Sequence, residues 1–263
     1  MRLVVGVLGL AALAGCVPAG PVPGSGTGAL APEVRERVRV PASPLEVPPA
    51  ENGDPEAWRA ALEASGERIV VSRDARLLWL MAGDSAIFTA PVAVGRDTIF
   101  RYGQREWDFN TPTGRMTVLA KEKEPIWVPP DWHYLEQAVE RGLEPVYLRS
   151  GQRVALSDST VIEVRGNDVG RVNRFGNWHP FTPGGQIIFD DKIFIPPIGS
   201  PQRRIPQVLG THRLILRDGY LIHGTPEEDS IGEWASHGCV RMLNQDVARL
   251  YHMVRVRTPV YVY

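Results

Sequence analysis

The spacing of apolar residues changes several times along this 263-residue chain, and each change marks a different kind of segment. Residues 3–12 form a short, almost unbroken apolar run behind Arg2. From 17 to 50 the apolar residues are scattered without a period among repeated prolines and glycines, a pattern that cannot bury enough surface to offset the entropy of ordering it. Residues 54–66 then adopt helical spacing, with Asp54 as N-cap, Pro55 in the first turn, Gly66 as the stop, and Trp58, Ala61 and Leu62 on the inward face. Beyond Gly66 the pattern shortens to β-rich runs at 68–72, 76–81, 86–94, 115–120, 161–165, 187–195, 213–216 and 220–223. Gly83-Asp84, Gly151-Gln152, Gly184-Gly185 and Asp218-Gly219 supply turns where hairpins need them. A late helix is expected from about Asp246 to Arg255, with Val247, Leu250, Tyr251 and Val254 at helical spacing, followed by a closing strand at 260–263. The expectation is a mainly β domain with a few short helices, and the lack of a fixed-period repeat excludes a solenoid or propeller.

Composition narrows the classes of partner. The 29 Lys+Arg against 30 Asp+Glu leave a formal charge of -1, without the basic excess that nucleic-acid binding requires. Two cysteines cannot build a disulfide framework. No apolar run reaches the roughly 18–20 residues of a membrane-spanning helix, so the amino terminus is the one membrane candidate. A single positive charge followed by a short apolar stretch is the layout of a secretory signal. The run ends in Leu13-Ala14-Gly15-Cys16, which resembles the bacterial lipobox, in which the cysteine thiol is acylated and becomes the first mature residue. The expected organisation is a lipoprotein signal peptide at 1–15, a Pro/Gly-rich tether at 16–50, a short helix within 51–66 and a folded domain at 67–263. The protein would then be exported, periplasmic and anchored to a membrane through lipidated Cys16.

With Cys16 consumed by lipid, Cys239 is a lone thiol, and its neighbourhood is Ser236-His237-Gly238-Cys239-Val240-Arg241. A second histidine lies in Leu221-Ile222-His223-Gly224. A thiol becomes a nucleophile when an imidazole can accept its proton and positive charge favours the thiolate. Gly238 removes bulk beside the thiol, so backbone N–H groups can approach a reacting carbonyl. Gly224 permits a tight turn after His223. If 239–241 is extended, Cys239 and Arg241 share a face, and the guanidinium can support the thiolate or hold a substrate carboxylate. Ser236 lacks the context of a serine nucleophile and reads as a hydrogen-bonding support. His223, His237 and Cys239 are also conceivable zinc ligands, but a closed site needs a fourth ligand and no second thiol is available; no metal is expected. The remaining histidines, including His133, have no partner at ligand spacing. Spacing alone does not choose between His223 and His237 as the base.

These elements, Ile222-His223-Gly224-Thr225, Ile231-Gly232, Ser236-His237-Gly238-Cys239-Val240-Arg241-Met242 and Asn244-x-Asp246, resemble in order the signature of the L,D-transpeptidase catalytic-domain family, cysteine enzymes of the bacterial cell wall. Ile69-Val70-Val71, Arg76-Leu77-Leu78-Trp79-Leu80, Pro91-Val92-Ala93-Val94-Gly95 and Thr111-Pro112-Thr113-Gly114 resemble its opening strands and its Thr-Pro-Thr-Gly turn. The likeness covers roughly 68–120 and 209–262. It implies a β-sandwich with the site in a groove beneath a flap, His223 as base, and the Gly224 carbonyl orienting its ring. It also implies an oxyanion hole of the His237, Gly238 and Cys239 N–H groups, with Arg241 and Ser236 toward substrate.

The same resemblance implies chemistry without a cofactor. Cys239 would form a thioester with a peptidoglycan tetrapeptide stem and release D-Ala. The acyl group would then pass to the amine of a second stem, giving a 3→3 cross-link, or to a lysine of an envelope protein. Water as acceptor would make the chain an L,D-carboxypeptidase or a hydrolase of wall attachments, and a catalytically silent wall-binding lipoprotein is a further alternative. The stretch around 121–204 departs from compact members of the family. It carries Trp127, Trp132 and a helix expected near 134–141, and reads either as an elaborated flap that chooses the acceptor or as a peripheral decoration of the sheet.

Overall fold

Unbroken apolar runs, in place of in-out alternation, require a strand to be covered on both faces, and the opening strands meet that requirement. The computed structural model describes residues 42–51 and 53–263; the expected signal peptide, Cys16 and the tether as far as residue 41 lie outside the described residues. Numbered in chain order, the strands of the two principal sheets are β1 (Glu67–Ser72), β2 (Leu77–Ala82), β3 (Ser85–Pro91), β4 (Gly114–Thr117), β5 (Ala120–Lys123), β6 (His212–Ile215), β7 (Leu221–Thr225), β8 (Val240–Leu243) and β9 (Pro259–Val262). The helices are α1 (Pro55–Glu63), α2 (Asp131–Arg141) and α3 (Asn244–Met253).

The first sheet has the order β3-β2-β1-β9-β4, with the carboxy-terminal β9 parallel to β1 and antiparallel to β4. The second has the order β8-β7-β6-β5, with β7 and β8 parallel. One core lies between them: Ile69, Val71, Leu78 and Leu80 from the first sheet meet Leu214, Ile222, Val240 and Met242 from the second, and Val247, Leu250 and Val254 complete it. Each such buried aliphatic side chain contributes about 1.5–3 kcal/mol. The other face of the first sheet presents Val70, Leu77, Trp79 and Met81 to Ala57 and Ala61 of α1. Asp54 caps that helix by accepting from the N–H groups of Glu56 and Ala57.

Part of the stretch assigned to the tether packs on this domain. Trp58 Nε1 donates to the Pro44 carbonyl at 3.2 Å, and the Tyr263 hydroxyl donates to the Val47 carbonyl at 2.9 Å. Pro44 is buried.

Three of the expected strands are divided. The run at 86–94 breaks after Pro91, and Val94–Gly95 pairs instead with Trp234–Ser236. The run at 115–120 leaves one sheet and enters the other: Val118 N–H donates to Thr258 O, and Leu119 N–H donates to Ile215 O. The run at 187–195 folds into a hairpin of Ile188–Phe189 and Lys192–Ile195, because Asp190 and Asp191 both take positive φ (50° and 55°), as a tight primed turn requires.

The stretch between β5 and β6 builds its own small cores. Ile193 and Ile195 pack on Tyr134, Leu135 and Ala138 of α2. Phe194, on the opposite face of the same strand, joins Ile162, Val164 and Val169 of a four-stranded antiparallel sheet. Among the described residues no helix is long and apolar enough to cross a membrane.

Candidate active site

Alternation along β7 and β8 separates chemistry from core. Ile222, Val240 and Met242 point inward, so Leu221, His223 and Arg241, together with Cys239 just before β8, point to the opposite face of the second sheet. There they line a groove of about 920 Å³ with Arg213 and Ile215 of β6. In the parallel register Ile222 is level with Val240 and His223 with Arg241, which places the thiol and the imidazole on the same face of adjacent strands.

His223 is 5% exposed, and its Nδ1 lies 2.6 Å from the Gly224 carbonyl oxygen. A carbonyl can only accept, so Nδ1 carries the proton and Nε2 of the neutral ring keeps its lone pair. The segment that carries this carbonyl is tied at the next residue by Asn244. Its Oδ1 accepts from Thr211 N–H at 3.0 Å and its Nδ2 donates to Thr225 O at 3.2 Å. Only glycine fits at 224, since a Cβ there would stand 2.3 Å from Asn244 Oδ1.

The loop carrying the thiol is pinned at both ends by one segment. Arg96 N–H donates to Ser236 O at 3.0 Å, while Ala93 and Arg241 exchange two backbone hydrogen bonds at 2.8 and 2.9 Å. That segment is steadied by Thr111, whose Oγ1 accepts from Gly95 N–H at 2.7 Å. Within the loop, Ser236 Oγ donates to Cys239 O at 2.5 Å and accepts from Gly238 N–H at 3.1 Å. Two of the expected site residues are thus engaged within the loop. Ser236 lines the groove but is 1% exposed, with its hydroxyl proton already given to Cys239 O, so its hydrogen bonds shape the loop. The Gly238 N–H is engaged by Ser236 and is not offered to an oxyanion. Gly238 instead supplies the positive φ of 112° that turns the chain, in a space where a Cβ would come within 3.0 Å of Asn110 O and of the Tyr220 ring.

Burial sets the resting ionisation. It pushes the His223 imidazole down to about 4, against the Gly224 carbonyl and with help from the Arg241 and Arg213 charges. Burial also pushes the Cys239 thiol up to about 11, opposed by the Leu221 backbone and the same two arginines. The resting pair is therefore neutral thiol and neutral imidazole. Both arginines have carboxylate partners: Arg241 Nη1 lies 2.8 Å from Glu227 Oε2, and Arg213 Nε lies 2.8 Å from Glu122 Oε2.

His237 is occupied elsewhere. Its Nε2 lies 2.9 Å from Glu136 Oε2, its ring stacks on Trp132 with centroids 4.2 Å apart, and Phe109 meets it edge-on at 4.6 Å. Glu136 and Trp132 both belong to α2 of the 121–204 stretch, and Trp127, Trp132 and His133 line the groove facing Cys239. That stretch is thus a wall of the site. His133 has its ring beside the Gln137 amide, 2.8 Å from Nε2. Sequence reasoning did not single out Glu136, Arg96, Glu227 or Arg213. Glu136 left one trace, its place one turn after Trp132 on the same face of an amphipathic helix. Among the described residues no three His, Cys, Asp or Glu side chains gather as metal ligands.

The YkuD L,D-transpeptidase catalytic-domain model matches residues 66–262. The chain belongs to that family. Over 41 residues it is 46% identical to YqjB of Bacillus subtilis, a candidate L,D-transpeptidase; the match takes in 16% of this chain and 23% of that protein. Among solved structures it is similar to an L,D-transpeptidase of Xylanimonas cellulosilytica, with 15% identity, 76% of this chain and 62% of that one covered, and a TM-score of 0.39. It is also similar to one from Mycobacterium smegmatis, at 18% identity, 76% and 59% coverage and a TM-score of 0.39. A third, from Enterococcus faecium, gives 14% identity, 76% and 50% coverage and a TM-score of 0.41. This L,D-transpeptidase-family chain thus spans less than two thirds of the length of each of these relatives.

Proposed function

We propose that the chain is a cysteine acyltransferase acting on peptidoglycan stem peptides. The observation that carries the reading is the His223 imidazole, neutral and locked by Gly224 O into the tautomer with a free Nε2, on the same face as Cys239. In the first step Cys239 Sγ attacks the carbonyl of the third residue of a tetrapeptide stem while its proton passes to His223 Nε2. The developing oxyanion is met by the N–H groups of His237 and Cys239. The carbon–nitrogen bond then breaks, and the imidazolium returns the proton to the departing D-Ala amine, leaving a thioester.

In the second step an acceptor amine attacks the thioester, its proton moves to His223, and the Cys239 thiol is regenerated. A second stem gives a 3→3 cross-link, an envelope protein lysine gives attachment of that protein, and water gives a shortened stem. Export behind residues 1–15 and anchoring through lipidated Cys16 place the enzyme beside the wall, and belong to the same proposal. Muropeptide mass analysis of purified disaccharide tetrapeptide incubated with the full chain, beside Cys239→Ala, tests it. Cys239-dependent loss of D-Ala is expected, with dimers or tripeptide identifying the acceptor. Absence of any product from the folded, reduced protein would overturn the proposal.

A further inference from the structure

The loop from His237 to Cys239 has both ends tied down but turns at a glycine, and a glycine turn does not by itself fix the direction of the N–H groups around it. The side chain that leaves this loop toward the 121–204 stretch is His237, and three groups surround it. Trp132 covers the ring face with an interplanar angle of 18°, Phe109 meets the ring at 78°, and Glu136 bonds Nε2. Glu136 is itself fixed by an ion pair with Arg96, whose guanidinium lies 4.8 Å over the Phe109 ring. The Arg96 backbone N–H bonds Ser236 O, the residue just before the loop. The contacts close a ring: Ser236 backbone, Arg96, Glu136, His237, and back along the chain to Ser236.

We propose that Glu136 and Trp132 of the inserted helix are positioning residues, which fix the His237 side chain and thereby aim the His237 and Cys239 N–H groups at the reacting carbonyl. The proposal rests on the acyl-transfer reading of Cys239. It makes the inserted stretch a working part of the catalytic centre, since its helix could not swing away as a lid without breaking the stack and both charged contacts. The protonation states agree: burial lowers the affinity of His237 for a second proton, while the His237 and Arg96 contacts hold Glu136 below the ordinary carboxylate range. The neutral ring therefore donates Nε2–H to an ionised carboxylate, and that direction of donation defines one orientation of the imidazole.

The test separates steps that need the oxyanion hole from one that does not. D-Ala release from disaccharide tetrapeptide and alkylation of Cys239 by iodoacetamide are measured for the full-length wild type and for Glu136→Ala, Glu136→Gln and Glu140→Gln. Glu140 is an exposed residue of the same helix, one turn beyond Glu136. Glu136→Ala should lower kcat about tenfold to a hundredfold while KM and the alkylation rate stay within about twofold. Glu136→Gln, which can still accept from Nε2–H, should recover most of the loss, and Glu140→Gln should match the wild type. A wild-type kcat in Glu136→Ala, equal losses of turnover and alkylation, or no rescue by glutamine would overturn the proposal. No D-Ala release from the wild type would instead overturn the acyl-transfer reading. In that case the nitrogen-15 shifts of the His237 ring still report the clamp: an unchanged tautomer and ring mobility in Glu136→Ala would reject it.

Discussion

His223 stands level with Arg241 across the parallel β7–β8 pair, while Cys239 precedes Arg241 by one full alternation of the pleat. Imidazole and thiol therefore share a face without sharing a register pair, and the arginine occupies the place directly beside the imidazole. Burial is the main influence that lowers the proton affinity of His223, and the Arg241 charge adds to it; at Cys239 the same charge favours the thiolate but is outweighed by burial.

The pH profile of acylation should carry this signature. A base must be unprotonated to act, and the His223 imidazole lies at about 4 in place of the ordinary 6.5. The acid limb of kcat/KM for D-Ala release is expected near pH 4, with activity sustained through pH 6. A limb near 6.5 would show that a different, solvated imidazole is the base.

Stability should fall in acid for the same reason. Between pH 6.5 and about 4 the unfolded chain protonates His223 while the folded chain does not, so the unfolded state binds more protons and stability declines as pH drops through this window. The contribution of His223 alone is about 3 kcal/mol. Denaturant unfolding at pH 7 and pH 4.5 reads it, and His223→Gln should reduce the difference without abolishing it, because burial also lowers His133, to about 4, and His237.

Gly224→Ala should cost about 2–3 kcal/mol, because the new methyl would meet Asn244 Oδ1 at 2.3 Å and Val247 Cγ1 at 3.1 Å. Combined with Asn244→Ala, the loss should be smaller than the sum of the two single losses, since the clash is relieved. Thermal melting of the three variants measures the coupling, and strict additivity would show that the two residues do not press on each other.

Glu227→Gln should leave stability within about 0.5 kcal/mol, since this carboxylate is 70% exposed. It frees Arg241 in the groove, so KM for a stem peptide bearing carboxylates should fall, whereas Arg241→Ala should raise it. Steady-state kinetics at low salt, where such attraction is least screened, distinguishes the two variants.

Tyr263→Phe should weaken the docking of residues 44–47 by about 1 kcal/mol through loss of the 2.9 Å hydrogen bond to Val47 O. Faster limited proteolysis near residue 47 with unchanged turnover is the expected result, and unchanged proteolysis would show that the bond does not secure the segment.

Much of this protein was legible in its sequence because much of it is local. The double-faced burial of β1 and β2 follows from Ile69-Val70-Val71 and Leu77-Leu78-Trp79-Leu80, and the cap of α1 follows from Asp54-Pro55. The order of motifs from Ile222 to Asp246 carried the family, which the match over residues 66–262 shows. Tertiary structure decided what depends on contacts between distant segments. Spacing could not distinguish the surroundings of His223 and His237; the first is buried against Gly224 and the second is captured by Glu136, 101 positions away in the chain. Nor could spacing show that Ser236 takes up the Gly238 N–H, or that the 121–204 stretch walls the groove. Periodicity records which face of an element is buried, whereas hydrogen-bond partners are settled only when separate elements pack and every buried donor and acceptor must find a mate.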